Sequence, residues 1–376
     1  MINTEAFGYE LKQLGFEFFS GVPCSYLKNL INFAINDCEY VMATNEGDCV
    51  AIAAGACLGG KKSVVLMQNS GLTNATSPLI SLLHPFQIPI LGFVSLRGEP
   101  GQKDEPQHEL MGQITAEMLT VMNISWEYLS SDFAEAKRQL ERANHCIENN
   151  QSFFFIVKKS TFGPVKLEEQ SANKKQNLFH HRKNGSDSFP TRYEALSVIN
   201  ACKAADTIQL ATTGKTGREL YDLEDSNHNL YMVGSMGCVS ALGLGLALVR
   251  REKAVLAIDG DGALLMRMGN LATNGTYSPD NLLHILLDNG CHDSTGGQQT
   301  VSANVQFTEL AASCGYPCSI YAHNLDELKA AIEYWYRNQQ LTFIYLKIAK
   351  GSKKDLGRPK MKPYQVKERL QVFLSD

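Results

Sequence analysis

The sequence predicts an α/β protein built from two three-layer domains, each a doubly wound parallel sheet with helices on both faces. Three observations carry this expectation. Short, almost wholly apolar runs alternate with segments of helical spacing, the pattern of strands buried on both faces. The alternation stops at residues 166–189, a polar stretch without periodicity, and then begins again. A chain of 376 residues is also the length of two domains rather than one or three.

In the first half, residues 3–14 (NTEAFGYELKQL) read as a helix closed by Gly15. Residues 16–20 (FEFFS) are a strand, the turn GVPCS follows, and a helix opens at about Tyr26. Residues 40–45 (YVMATN) are a strand and 46–59 (EGDCVAIAAGACLG) a helix rich in small residues. Two more buried strands, 63–68 (SVVLMQ) and 88–94 (IPILGFV), flank the helical 74–83. Residues 116–124 are helical, and 152–158 (SFFFIVK) make the last strand.

The second half starts with a helix over 191–203 and a strand over 207–213 (TIQLATT), after which GREL opens a short helix. A strand over 230–235 (LYMVGS) runs into the small-residue helix 236–250. The strand 254–258 (AVLAI), a helix over 263–275, the strand-and-turn 282–290 (LLHILLDNG), a helix over 325–335 and a strand over 342–349 complete it. The expected domains are therefore 1–165 and 190–376, joined by the linker 166–189. His180 and His181 stand in that linker beside Arg182 and Lys183, and read as solvated loop residues rather than ligands.

Composition narrows the function classes. With 44% hydrophobic and 20% charged residues the chain is an ordinary globular one. A net charge of -4 gives no global basic field for nucleic acid. No window is apolar enough to span a membrane, and the N-terminus lacks the pattern of a secretory signal. Ten cysteines are scattered without a CxxC pair; Cys314 and Cys318 stand nearest each other and cannot supply four zinc ligands. They read as small core residues in a reducing cytoplasm.

The chemistry concentrates at 255–262, VLAIDGDG, where an apolar strand ends in two aspartates interleaved with two glycines. Ligands of open α/β sheets bind at such strand ends. A tight strand-to-helix corner would need only the glycines. A calcium loop is excluded, because Ala263 and Leu264 stand where a ligand and a glycine belong. The chain beyond Gly262 favours a divalent-cation site completed at a distance. After Gly262 come 25 residues, room for one helix and one strand, and then Asp288-Asn289-Gly290. A neighbouring parallel strand would bring both ends to one sheet edge. The Asp261 carboxylate, the Asn289 amide oxygen and a backbone carbonyl would then form a hard oxygen site for Mg²⁺, an ion usually shared with phosphates.

GDG, 25 residues and a DN(G) turn, each after an apolar strand, resemble the diphosphate-binding signature of thiamine-diphosphate (ThDP) enzymes. The resemblance implies the two-domain ThDP-binding fold, with an aminopyrimidine-binding domain first and a diphosphate- and Mg²⁺-binding domain second; the linker stands where larger members carry a central third domain. It makes Asp261, Asn289 and the carbonyl of Cys291 the Mg²⁺ ligands, with Asp288 a non-ligand where the family usually has Asn. It makes Glu46 the carboxylic acid that activates the aminopyrimidine ring, Asp48 being an ordinary helix-start carboxylate. Gly234, Ser235, Gly260 and Gly262 allow close backbone approach to the cofactor, and Met236 holds it bent. No clean GxGxxG opens the glycine-rich helix, so a nicotinamide reading is poor.

The phrases SGVPCSYLKNL, QNSGLTNATSPL, LRGEPGQKDEPQHELMG, TTGKTGREL and LDNGCHDSTGGQQT resemble the short ThDP-dependent decarboxylases of 2-oxo acids bearing a strongly acidic second group. The implied substrate is 3-phosphonopyruvate, in phosphonate (2-aminoethylphosphonate) biosynthesis, with sulfopyruvate as the alternative. Ser25, Lys28 and Arg97 are the anion-anchor candidates, and Ser294 and Thr295 the candidates for clamping substrate. His108 falls where relatives carry a histidine pair, Gln107 replacing the other member; His292 is the second candidate for proton transfer. The family also implies a homodimer or larger homo-oligomer with active sites between subunits.

Overall fold

Apolar runs without polar alternation belong in the interior of a covered sheet. The computed structural model, which describes residues 1–170, 175–181 and 189–375, places them there. The chain forms two units, dividing after residue 171.

In the first unit, β1 (Phe16–Gly21), β2 (Glu39–Met42), β3 (Lys62–Gln68), β4 (Leu91–Ser95), β5 (Ser125–Tyr128) and β6 (Phe153–Val157) make one parallel sheet in the order β2-β1-β3-β4-β6-β5. In the second, β7 (Phe179–His181), β8 (Ile208–Ala211), β9 (Asn229–Tyr231), β10 (Val255–Gly260) and β11 (Leu282–Asp288) precede a small antiparallel hairpin, β12 (Cys291–His292) and β13 (Gln298–Gln299). With β14 (Cys318–Ala322) and β15 (Thr342–Lys347) the second parallel sheet reads β7-β14-β15-β11-β10-β8-β9.

Both small-residue helices are interior elements. Glu46–Leu58 is buried at every position after Glu46 and packs on β1, β3 and the helix Asn69–Pro78. Val239–Val249 is buried from Val239 through Ala247 and packs on β10. A helix apolar on all sides is one covered on all sides. Asp48, expected as an ordinary helix-start carboxylate, is only 1% exposed.

The structure adds elements to those expected. β5 and the helix Phe133–Glu148 follow the helix Glu109–Val121; β5 is a half-exposed edge strand whose four residues give no apolar run. The helices Phe307–Ser313 and Pro363–Ser375 and strand β14 are additions in the second unit. The single helix expected over 263–275 is two, Asp261–Met266 and Asn270–Tyr277, and β9 ends at Tyr231, short of the expected 235. Ser235 and Gly237 take left-handed backbone, φ 53° and 94°, which a strand cannot contain. The segment read as a solvated loop is also partly structured. Phe179–His181 pairs with β14 as the outermost strand, and the exposed His180 places Nδ1 2.9 Å from Ser319 Oγ.

Candidate cofactor and substrate sites

In the first unit the chain leaves β2 through Asn45, whose extended backbone (φ -151°, ψ 145°) and side chain cap the next helix by accepting from Gly47 N at 2.8 Å. Glu46 is thereby fixed at the helix start, half-buried. Its Oε2 accepts from Asn74 Nδ2 at 2.9 Å. Its other oxygen lies on the backbone of Gly71, where a Cβ would stand 2.2 Å from Oε1. Gly71 and Asn74 were missed by the sequence reading, although QNSGLTNATSPL contains both.

The anion-anchor candidates share this unit. Ser25 and Lys28 are exposed and line a cleft of about 720 Å³ with Lys159 and Lys166. Arg97 follows β4 and reaches Ser25 Oγ at 3.3 Å. It also makes a forked pair with Asp104: Nε donates to Oδ2 at 2.8 Å and a terminal nitrogen donates to Oδ1. Asp104 further accepts from Gly98 N at 2.9 Å, Glu105 N at 2.9 Å and Tyr26 hydroxyl at 3.2 Å. The Arg97 guanidinium holds its carboxyl far below the usual range. Arg97 is therefore a neutralised donor fork, stacked 4.9 Å over the Tyr26 ring, rather than an unpaired cation. Asp104 was not singled out from the sequence.

His108 is 7% exposed, and its Nδ1 is enclosed without a hydrogen-bond partner among the described residues. The loop after β4 lies directly on it: a Cβ at Gly98 would stand 2.0 Å from His108 O. Gln107 is exposed.

In the second unit β10 and β11 are parallel neighbours, with Gly260 beside Leu287, so the two motif ends meet as expected. One cavity of about 70 Å³ is lined by Met236, Gly260, Asp261, Gly262, Asn289, Cys291, His292 and Ser294. Gly234, Ser235 and Thr295 are outside its lining. The Thr295 hydroxyl closes the β12–β13 turn on Gln298 Oε1 at 2.8 Å. The His292 ring covers Gly262, where a Cβ would meet Cε1 at 2.6 Å.

Asp261 is 2% exposed and accepts from the Thr300 hydroxyl. Burial pushes its carboxyl above the ordinary value, and Asp288 adds to the rise. Asp288 is saturated: it accepts from Tyr345 hydroxyl at 2.8 Å, Lys347 Nζ at 3.2 Å, Gly290 N at 2.8 Å and Ser302 Oγ at 3.2 Å. This accounts for an aspartate as a framework residue at this position. Asn289 sends Nδ2 to Asp293 Oδ2 at 2.7 Å, while its Oδ1 accepts from Cys291 N at 3.3 Å. Burial pushes the Cys291 thiol up to about 11.

The rest of the lining, Arg192 and Asp293 included, was not foreseen. Thr212, Thr213, Gly214, Lys215 and Thr216 surround the same cavity at the end of β8, where the helix Lys215–Leu223 begins. Gly214 has φ 94°, the left-handed turn that lets the chain enter this helix. Thr212 Oγ1 is buried without a hydrogen-bond partner among the described residues. An orphaned hydroxyl, open helix starts and a buried carboxylate lacking a cation fit a Mg²⁺–diphosphate group. Among the described residues no group of three His, Cys, Asp or Glu side chains could hold a metal.

Comparison with known proteins matches this division. The N-terminal TPP binding domain of thiamine pyrophosphate enzymes matches residues 3–118, and the C-terminal TPP binding domain matches residues 212–346. The chain is similar to a phosphonopyruvate decarboxylase of Streptomyces hygroscopicus, 40% identical over 97% of this chain and 92% of that one. It is 29% identical to a sulfopyruvate decarboxylase of Methanosarcina acetivorans over 97% of this chain and 95% of that one. Among solved structures, the benzoylformate decarboxylase from Polynucleobacter necessarius superposes with a TM-score of 0.72, covering 94% of this chain and 100% of that chain. At 13% identity that likeness is one of fold.

Proposed function

This chain belongs to the thiamine pyrophosphate enzymes, and on that premise we propose that it decarboxylates 3-phosphonopyruvate, releasing carbon dioxide and phosphonoacetaldehyde without oxidation. The observation that carries the substrate is the end-to-end 40% identity with a phosphonopyruvate decarboxylase, against 29% with a sulfopyruvate decarboxylase. The step belongs to phosphonate biosynthesis.

Bound ThDP supplies the electron sink that accepts the charge left by departing carbon dioxide. The chain supplies the rest. Asp261, Asn289 and the Cys291 carbonyl are the ligands for Mg²⁺, and Thr212, Thr213 and the helix start at Lys215 take the diphosphate. Met236 is the apolar support beneath the cofactor. Glu46, held on Gly71 and Asn74, presents its carboxyl to the aminopyrimidine ring. Ser25, Lys28 and the Arg97 fork are the phosphonate anchors, with Lys28 bringing the uncompensated charge. For the proton delivered to product, His292 is supported by its place in the metal-side cavity and His108 by its enclosed Nδ1.

We place the working enzyme in a homo-oligomer with each site shared between subunits, as the family implies. Among the described residues no helix is long and apolar enough to cross a membrane, and all ten cysteines are free thiols, which supports a reducing cytoplasm. The test is carbon dioxide release from 3-phosphonopyruvate, sulfopyruvate and pyruvate, with and without ThDP and Mg²⁺. Release that needs both cofactors and prefers the phosphonate is expected; preference for sulfopyruvate would overturn the substrate, and release without ThDP the cofactor.

A further inference from the structure

A carboxamide is ambiguous as a ligand, since one end offers an oxygen and the other two N–H donors. Only the oxygen can bind a cation. The structure resolves this for Asn289 through Asp293, one helical turn's length along the chain, and through Arg192, far away in sequence. Asp293 accepts and cannot donate, and its Oδ2 lies 2.7 Å from Asn289 Nδ2. The same Oδ2 takes Arg192 NH2 at 2.7 Å. Its Oδ1 takes Gly351 N at 3.2 Å and Cys291 Sγ at 3.2 Å. Arg192 is itself buried, 6% exposed, held by Gly351 O at 3.2 Å and by the buried Glu219 at 3.6 Å. Asp293 thus has a donor on every side and no freedom to turn.

We propose that Asp293, clamped by Arg192, is a positioning residue that fixes which end of the Asn289 amide faces the cation. The proposal rests on the Mg²⁺–ThDP reading above. With Asp293 in place the amide must turn its NH2 to Asp293 Oδ2, which leaves Oδ1 as the end offered to the cation. Neither residue was marked by the sequence as part of the site, because their pairing joins positions 101 apart.

The probe is Mn²⁺, titrated by electron paramagnetic resonance into metal-free enzyme with ThDP, a readout independent of turnover. Asp293→Asn keeps the shape but meets a donor at both ends, Arg192 and Gly351, so its NH2 has no settled place and the Asn289 amide is no longer firmly held one way. Loss of such an outer partner should weaken Mn²⁺ by about 10- to 100-fold. Adding Asn289→Asp should restore it to within about 3-fold, since a carboxylate offers oxygen whichever way it turns. Asn289→Asp alone should bind worse than the double variant, because two carboxylates would then face each other.

Unchanged affinity in Asp293→Asn would overturn the proposal. So would a loss that Asn289→Asp fails to repair, which would mean that Asp293 merely holds its loop. Should Asp293→Asn alone not fold, the double variant carries the test, parent-like affinity supporting the proposal and weak binding overturning it. Absence of Mn²⁺-dependent ThDP binding in the parent would instead overturn the cofactor reading, and the proposal with it.

Discussion

Glu46 has two neighbours that set its geometry, and each predicts a different defect. Glu46→Gln keeps the Asn74 contact but removes the acid, so turnover should fall about 10²- to 10⁴-fold. Calorimetric binding of Mg²⁺–ThDP should stay within a few-fold of the parent; parent-like turnover would remove Glu46 from the mechanism. Gly71→Ala puts a methyl 2.2 Å from Glu46 Oε1 and must displace the carboxylate, so it should lower turnover with the glutamate intact. Asp104 predicts a pH effect. Its pKa is depressed in the folded state by Arg97, so its stabilisation is complete above the unfolded carboxyl value of about 3.9 and fades as the pH falls below that. Asp104→Asn should destabilise by about 3 kcal/mol at neutral pH, and the gap in thermal melts should close only under strongly acidic conditions. A gap that closed near pH 6 would point to another group. Glu46 was singled out in the sequence by the family resemblance; its strand-to-helix junction alone would equally suit a helix-start carboxylate. Asp104 was not, because GQKDEPQ is an ordinary polar loop until it folds back over Arg97.

At the scale of elements, the meeting of the two motif ends was readable for a geometric reason. Two parallel strands that are direct neighbours, with one crossover between them, must deliver their ends together, and β10 and β11 do. The crossover itself was misread as one helix. The end of β8 was not readable as part of the same edge, since strand order across a sheet is not written in local periodicity. Thr212–Thr216 became visible only when β8 took its place beside β10. Packing between elements gives a prediction that separates stability from the site. A Cβ at Gly275 would lie 1.9 Å from Cys314 O, a backbone atom that cannot swing aside. Gly275→Ala should lower the melting temperature by an amount equivalent to about 1–3 kcal/mol, with Mg²⁺–ThDP affinity of the remaining folded enzyme unchanged. A melt equal to the parent would show that these elements shift without penalty.

For the whole molecule, the family reading predicts a species larger than the 41.5 kDa chain in sedimentation at assay concentration. It also predicts specific activity that drops on dilution below the assembly constant; constant activity in a monodisperse monomer would refute shared sites. The division of the chain into two α/β units was legible from the restart of the strand–helix alternation. Where the second unit begins was less so, because three residues of β7 inside a polar stretch carry no periodic signal. That short strand has a practical consequence. It covers the side of β14 that would otherwise present a row of unpaired backbone groups. A second unit produced alone from residue 190 should bare that row and tend to stick to its own kind, whereas one produced with Phe179–His181 should present only that three-residue edge there. The solubility of such fragments should therefore follow less from how much of the polar stretch is kept than from whether those three residues are kept.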